Sequence, residues 1–106
     1  MTEIKFSPAA LEDLREIKDY ITDDLNNSIA AKNTISMILK SLRQLETFPM
    51  SGASLSSIIN IDVPYRFLIC GNYTAFYKTE DEEVHIIRVL YGRRNFMKTL
   101  FGEPEE

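Results

Sequence analysis

Two adjacent arginines, Arg93 and Arg94, end a stretch rich in aromatic and β-branched residues that begins at Pro64, PYRFLICGNYTAFYKTEDEEVHIIRVLYGRR. The planar fork of an arginine guanidinium suits a carboxylate or a phosphate group. From Arg88 to Lys98 there are four basic residues and no acidic one. This patch could contact RNA phosphate, pair with acidic side chains of a protein partner, or end a strand with solvated charge.

Few other side chains offer chemistry. The only histidine, His85, comes before Arg93 in the last apolar run of this stretch. On an extended backbone it would be too far from Arg93 for direct cooperation. Four serines between positions 51 and 57 have no histidine near them in sequence, so a serine nucleophile has little support. The only cysteine, Cys70, excludes an intrachain disulfide and is expected to be a small buried apolar side chain. We predict no metal and no cofactor.

The totals limit the class of protein. The chain has 106 residues, and we interpret residues 1–106 as a single domain. Its net charge of −4 argues against RNA or DNA as the main ligand, because phosphate binding usually requires a basic surface. The start has no apolar run of signal-peptide length, and no run reaches the roughly 20 residues of a membrane span. We therefore expect a soluble, cytoplasmic protein.

The first half of the chain predicts a strand and two helices. Glu3 to Phe6 alternates polar with apolar residues, and Ser7-Pro8 then supplies an N-cap and a first-turn proline. Helices are predicted from about Pro8 to Asp24 and from about Asn27 or Ser28 to Thr47. The expected core stripes are Leu11, Leu14, Ile17, Ile21 and Leu25 on the first helix, and Ala31, Ile35, Ile38, Leu42 and Leu45 on the second. The first helix is expected to place Glu12, Asp13, Arg15, Glu16 and Asp19 on its outer side.

The second half predicts an antiparallel meander after a serine-rich loop over residues 50–61. The strands are predicted at about Val63 to Cys70, Tyr73 to Thr79 and Val84 to Tyr91. Asn95 to Phe101 is compatible with a short terminal helix. The order β-α-α-β-β-β indicates an α+β fold, with a helical hairpin packed on one face of a small antiparallel sheet. The other sheet face and the strand ends are left for function.

This order resembles the RelE/ParE superfamily of type II toxins, which includes proteins described as plasmid stabilisation proteins. The residues that carry the resemblance are FSPAALEDLREIKDYI, LETFPMSG and YRFLICGNYTAFYKTEDEEVHIIRVLYGRRNF, which together span nearly the whole chain. The resemblance implies a small bacterial toxin that inhibits growth and is neutralised by an antitoxin encoded beside it. In that superfamily, RelE-like members cut mRNA in the ribosomal A site, whereas ParE-like members inhibit DNA gyrase.

The resemblance also implies candidate catalytic residues. Arg66 lies where the family places a basic residue on the second strand, and Arg94, with Arg93, lies where it places the arginine that stabilises the transition state. Tyr91 lies where many members carry histidine, and a phenol with a pKa of about 10 is a poorer base than imidazole. The alternative for Arg66, and for Arg88, is an internal salt bridge within an apolar strand.

Other positions depart from the nuclease pattern. Leu68 replaces a second base, Thr74 replaces an arginine, and Leu100 or Phe101 replaces the late tyrosine. The incomplete set and the acidic net charge favour a ParE-like inhibitor of DNA gyrase. The alternatives are a RelE-like, ribosome-dependent mRNA endonuclease, which would be metal-independent, and a degenerate toxin that only binds its antitoxin.

The expected partners follow from these hypotheses. We expect the antitoxin to lay a helix or strand against the helical hairpin and the open sheet face, covering apolar surface. The target would be DNA gyrase, or the ribosome with its mRNA. The same apolar surface would allow a homodimer, and no membrane partner is expected. Aromatic residues on the strands could stack bases, but residues at strand spacing usually form cross-strand pairs. They are Tyr65, Phe67, Tyr73, Phe76 and Tyr77.

Overall fold

The computed structural model describes residues 2–92 and 95–102. Its elements are β1 (Glu3–Phe6), α1 (Pro8–Asp19), a π-helical turn (Tyr20–Asp24), α2 (Ser28–Arg43), a 3₁₀ turn (Gln44–Glu46), β2 (Ala53–Ser54), α3 (Ser56–Ile59), β3 (Arg66–Cys70), β4 (Tyr73–Glu80), β5 (Glu83–Tyr91) and α4 (Phe96–Phe101). The predicted α+β fold is confirmed, with its element order and its short terminal helix. The serine-rich loop additionally contains β2 and α3, two elements too short to give a periodic signal.

The five strands form one sheet in the order β1-β5-β4-β3-β2. The meander β3-β4-β5 is antiparallel as predicted, and β2 extends it at one edge. At the other edge β1 runs parallel to β5, so the sheet is mixed instead of wholly antiparallel. The reason is the connection: tight turns force antiparallel pairing, but the whole helical hairpin separates β1 from the meander and leaves its direction free.

Local capping fixes where the helices begin. The Ser7 side chain accepts a hydrogen bond from the Ala10 amide (2.9 Å) and donates one to the Ile87 carbonyl (2.7 Å). It therefore caps α1 and joins its start to β5. Asn27 caps α2 by accepting from the Ala30 amide (2.9 Å). The last residues of the predicted first helix, Tyr20–Asp24, form the π-helical turn.

The main core lies between the two helices and the sheet. The predicted stripe of α2 is confirmed, since Ala31, Ile38, Leu42 and Leu45 are buried and Ile35 packs against them. The predicted stripe of the first helix is confirmed in part: Leu14 and Ile21 are buried, whereas Leu11 and Leu25 are exposed. Ala10 and Asp13, which were not predicted to be core residues, are also buried. The prediction that Asp13 faces outward is therefore wrong.

A second cluster covers part of the sheet face that was predicted to be open. Phe67 and Phe76 are buried there with Leu55, under side chains of α3 and α4. The ring of Phe96 stacks on that of Phe76, with centroids 5.6 Å apart and planes at 14°. These aromatic residues are core residues, as the cross-strand interpretation predicted, and this part of the face offers no platform for nucleic-acid bases. Beyond the cluster, Ile69 on β3 is exposed.

No helix of the described residues is long and apolar enough to span a bilayer.

Candidate functional site

Of the four candidate catalytic residues predicted from the resemblance, the structure describes two, Arg66 and Tyr91. Arg93 and Arg94 lie outside the described residues. Tyr91 is at the end of β5, about half exposed, and Arg66 begins β3. The roles of all four therefore remain predictions.

Arg66 makes an internal contact of a kind that the sequence did not indicate. Its Nη2 donates to the Met50 carbonyl (3.0 Å) and to the Gly52 carbonyl (2.6 Å). The Tyr77 hydroxyl binds the same segment, donating to the Pro49 carbonyl (2.9 Å) and accepting from the Gly52 amide (3.0 Å). Arg66 and Tyr77 thus fix the segment that leads into β2. The expected salt bridge of Arg66 is replaced by hydrogen bonds to backbone.

Arg88 forms the internal salt bridge that was the alternative considered for it. Its Nε and Nη2 donate to the two carboxylate oxygens of Asp13, both at 2.7 Å, and the Val89 amide donates to Asp13 Oδ2 at 2.9 Å. Asp13 is only 6% exposed. The hydrogen bond with Asp13 raises the pKa of the Arg88 guanidinium, which therefore stays charged. The pair locks α1 to β5 and leaves Arg88 little capacity to bind a phosphate.

His85 lies apart from these residues. Its Nε2 is 3.1 Å from the Glu83 carboxylate, and its strand partner is Lys78. The pairing register of β4 and β5 shifts at Phe76/Tyr77. Along β5, the alternation of side chains between the two sheet faces is therefore interrupted between His85 and Tyr91. These contacts are those of an ordinary strand residue with its neighbours.

A groove with a volume of about 960 Å³ lies between the far end of the helical hairpin and the ends of β4 and β5. Its apolar wall comes from the π-helical turn and α2, through Ile21, Leu25 and Met37. Leu25 is well exposed. An open apolar groove of this size is a common form of protein docking site.

Three tyrosines line this groove: Tyr20 from the π-helical turn, Tyr73 from β4 and Tyr91 from β5. The rings of Tyr73 and Tyr91 meet edge to face, with centroids 5.5 Å apart and planes at 78°. Burial raises the pKa of Tyr73, and the nearby Tyr91 and Tyr20 raise it further. Tyr20 and Tyr91 keep about half of their surface exposed, 53% and 54%.

The charged residues of the groove are Asp13, Glu16 and Arg88. Because Asp13 and Arg88 neutralise each other, Glu16 gives the groove its remaining charge, which is negative. The sequence pattern missed Glu16 and Tyr20 as site residues, since both look like ordinary outer-side residues of a helix. Asp13 did carry a signal, because it is three residues after Ala10 and four before Ile17 and so lies beside the apolar stripe.

Neither cysteine nor metal chemistry is built into the described residues. Cys70 is buried, and burial raises the pKa of its thiol to about 11. It is the small buried side chain that the sequence predicted. The described residues contain no group of three or more histidine, cysteine or acidic side chains placed to hold a metal ion.

The fold is that of the RelE/ParE toxin superfamily. The chain matches a structure described as the chromosomal ParDE TA system from P. aeruginosa, with a TM-score of 0.72 and 22% identity over 87% of this chain and 97% of that one. It also matches the isolated E. coli RelE toxin, with a TM-score of 0.58 and 14% identity over 94% of each chain. A RelB-RelE antitoxin-toxin complex from Methanococcus jannaschii gives a TM-score of 0.53 and 16% identity over 92% of this chain and 98% of that one.

Within this superfamily the sequence selects one branch. The family model of the ParE toxin of the type II toxin-antitoxin system, parDE, matches residues 4–96. The chain therefore belongs to the ParE toxin family. A comparison with curated proteins gives no significant match.

Proposed function

We propose that this type II toxin inhibits DNA gyrase and is neutralised by an antitoxin that binds in the groove. The membership of the ParE family is the observation that carries the proposal. The internal use of two strand arginines supports it. Arg66 donates through Nη2 to backbone carbonyls and Arg88 is held by Asp13, so both guanidinium groups have partners within the fold. In this proposal the protein acts by binding another protein.

An antitoxin as partner has two supports. Two of the similar structures are described as a ParDE toxin-antitoxin system and as an antitoxin-toxin complex. This chain itself offers an open groove whose apolar wall needs a cover. The groove lies on the helical hairpin, one of the two surfaces expected to bind an antitoxin. The second, the far sheet face, is already partly covered by α4.

The test is induction of the toxin in a bacterial host, alone and together with the product of the reading frame beside its gene. The proposal predicts growth arrest, induction of the SOS response and recovery of gyrase with affinity-tagged toxin. It also predicts that the purified toxin inhibits gyrase supercoiling of plasmid DNA. Growth arrest without a gyrase effect would contradict the target. No growth defect at all would contradict the toxin activity.

The mRNA endonuclease alternative rests on Arg66, Tyr91, Arg93 and Arg94. Mapping of mRNA 5′ ends after induction distinguishes it from gyrase inhibition. Codon-periodic cuts that vanish in an Arg94→Ala variant would establish the nuclease. An Arg66→Ala variant is a poor probe by itself, because Arg66 also holds the Met50 and Gly52 carbonyls and its loss would disturb the fold.

A further inference from the structure

We infer that the groove recognises a lysine or arginine side chain on the apolar antitoxin segment that fills it, with the cation received by Tyr20, Tyr73, Tyr91 and Glu16. This inference rests on the proposed binding of an antitoxin in the groove. It adds what the groove selects, a basic residue within an apolar segment, and the residues that select it.

Three tyrosines from three different elements line the groove, and the rings of two of them, Tyr73 and Tyr91, already pack edge to face. The faces of aromatic rings attract cations, and a group of rings is the usual protein device for holding a substituted ammonium or a guanidinium. Because Tyr20 and Tyr91 are half exposed, an incoming side chain can reach their rings without unfolding the core.

The carboxylates of α1 and of the π-helical turn divide into a paired and an unpaired set. Glu12 and Asp19 pair with Arg15, and Asp13 pairs with Arg88. Glu16, Asp23 and Asp24 form no salt bridge within residues 2–92 and 95–102, which the structure describes. Of these three acids only Glu16 lines the groove, and it also interacts electrostatically with Arg88 and Arg15. With Asp13 and Arg88 paired, the groove keeps one net negative charge, which favours a cation over an anion.

Asp23 and Asp24 lie at the C-terminal end of the first helical segment, where the helix dipole is itself negative and where basic residues are favoured. These acids therefore oppose local helix stability. Residues that oppose the local helix, with no other interaction in the protein to offset them, tend to mark functional sites. A cation bound at the neighbouring tyrosines would compensate both the acids and the dipole.

Arg88 does not reverse this preference. Arg88 donates to the Asp13 carboxylate through both Nε and Nη2, and that carboxylate also accepts a hydrogen bond from the Val89 amide. The pair is neutral as a unit, and breaking it to bind an external anion would leave the buried Asp13 carboxylate without its partner. The groove is therefore not an anion site.

The experiment uses the full chain, isolated from antitoxin, and two small probes that differ only in charge. They are N-acetyl-arginine amide and N-acetyl-citrulline amide, whose side chains have nearly the same shape. NMR follows the ring signals of the three tyrosines during each titration. We expect a saturable shift with the arginine probe that is roughly three- to tenfold weaker in affinity with the citrulline probe.

Two variants assign the cation to its site. Glu16→Gln removes the groove charge at an exposed position, where folding is not at risk, and is expected to weaken the arginine probe roughly threefold. Glu82→Gln, on the exposed β4–β5 turn, makes the same charge change away from the groove and is expected to leave binding unchanged. Equal binding of both probes, no saturable shift, or equal effects of the two variants would each overturn the inference.

The outcome is separable from that of the proposed function. Growth inhibition and gyrase binding by the toxin alone do not depend on the cation site, and probe binding does not depend on gyrase. If the toxin arrests growth but its tyrosines ignore the arginine probe, the inference fails and the proposed function stands. Tyrosine shifts that grow with protein concentration in the absence of probe would identify a second copy of this chain as the occupant, and would also overturn the inference.

Discussion

At the scale of single residues, the arginines of β3 and β5 show how strongly surroundings decide what a cation does. Arg88 is held by a carboxylate in a bidentate pair, and Arg66 is held by two carbonyls. From the sequence, an internal salt bridge was the alternative for both arginines, but the sequence did not identify the partner of either one. Asp13 is 75 residues from Arg88, and Gly52 is 14 residues from Arg66, so only the folded sheet brings them together.

The salt bridge between Asp13 and Arg88 predicts a large effect of a small change. In Asp13→Asn the guanidinium of Arg88 loses its counter-charge in a mostly buried setting, which is expected to lower the free energy of unfolding by about 3 kcal/mol. Urea unfolding followed by circular dichroism measures it. Glu12→Gln removes an exposed carboxylate one residue away and is the matched control. A loss no larger than that of the control would show that the pair does not stabilise the fold.

Cys70 makes a second prediction at this scale. With a thiol pKa of about 11, only about one molecule in a thousand carries a thiolate at pH 8. A thiol reagent such as Ellman's reagent is expected to modify Cys70 at pH 8 in urea but hardly at all in the folded protein.

Because folding raises the pKa of this acid, the thiol contributes stability that is lost as pH rises above the unfolded value of about 8.5. If Ellman's reagent modified Cys70 in the folded protein as fast as in the unfolded chain, the burial of this thiol would be contradicted.

At the scale of elements, the segment between α2 and β3 illustrates what a pattern cannot convey. Gly52 lies at the junction with β2, and its amide and carbonyl both bind side chains, those of Tyr77 and Arg66. A Cβ placed on Gly52 would lie 2.5 Å from the Phe67 carbonyl and 2.6 Å from the Tyr77 hydroxyl. The close approach, and not a special backbone angle, therefore requires glycine here.

Gly52→Ala is accordingly expected to lower the free energy of unfolding by about 1–3 kcal/mol, because either β3 or the buried ring of Tyr77 must shift. Thermal and urea unfolding test this, with the exposed neighbour Ser51→Ala as control. Equal stability of the two variants would mean that the segment yields without cost.

The sequence pattern predicted some elements of this fold better than others. The stripe of α2 and the three strands of the meander were predictable, because each repeats over several turns or residues. The stripe of α1 was right only in part: Leu14 and Ile21 are buried as predicted, but Leu11 is exposed although its spacing and hydrophobicity fit, and Ala10 and Asp13 are buried. Burial of an aspartate is favourable here only because of Arg88, a partner beyond any sequence window. The groove was likewise unreadable, because its tyrosines come from three separate elements.

At the scale of the whole molecule, net charge bears on whether the target is a nucleic acid or a protein. A chain with net charge −4 and a pI of about 5.0 attracts nucleic acid weakly, and Arg88, one of the four basic residues in its basic stretch, is neutralised by Asp13. At neutral pH and low salt the purified toxin is expected to pass through a heparin column and to bind an anion exchanger. Retention on heparin would favour a nucleic-acid target instead of gyrase.

The parallel pairing of β1 with β5 also has a consequence in time. The first strand of the chain can pair only with the last one, and the Ser7 hydroxyl that caps α1 binds a carbonyl 80 residues later. During synthesis at about 5–20 residues per second, β1 and the bond from Ser7 to the Ile87 carbonyl must wait several seconds until β5 has been made, whereas the bond from the Ala10 amide to Ser7 is local and can form earlier. The tyrosine lining of the groove waits as well, since Tyr91 is the last residue of β5. The groove is therefore complete only after nearly the whole chain has been made.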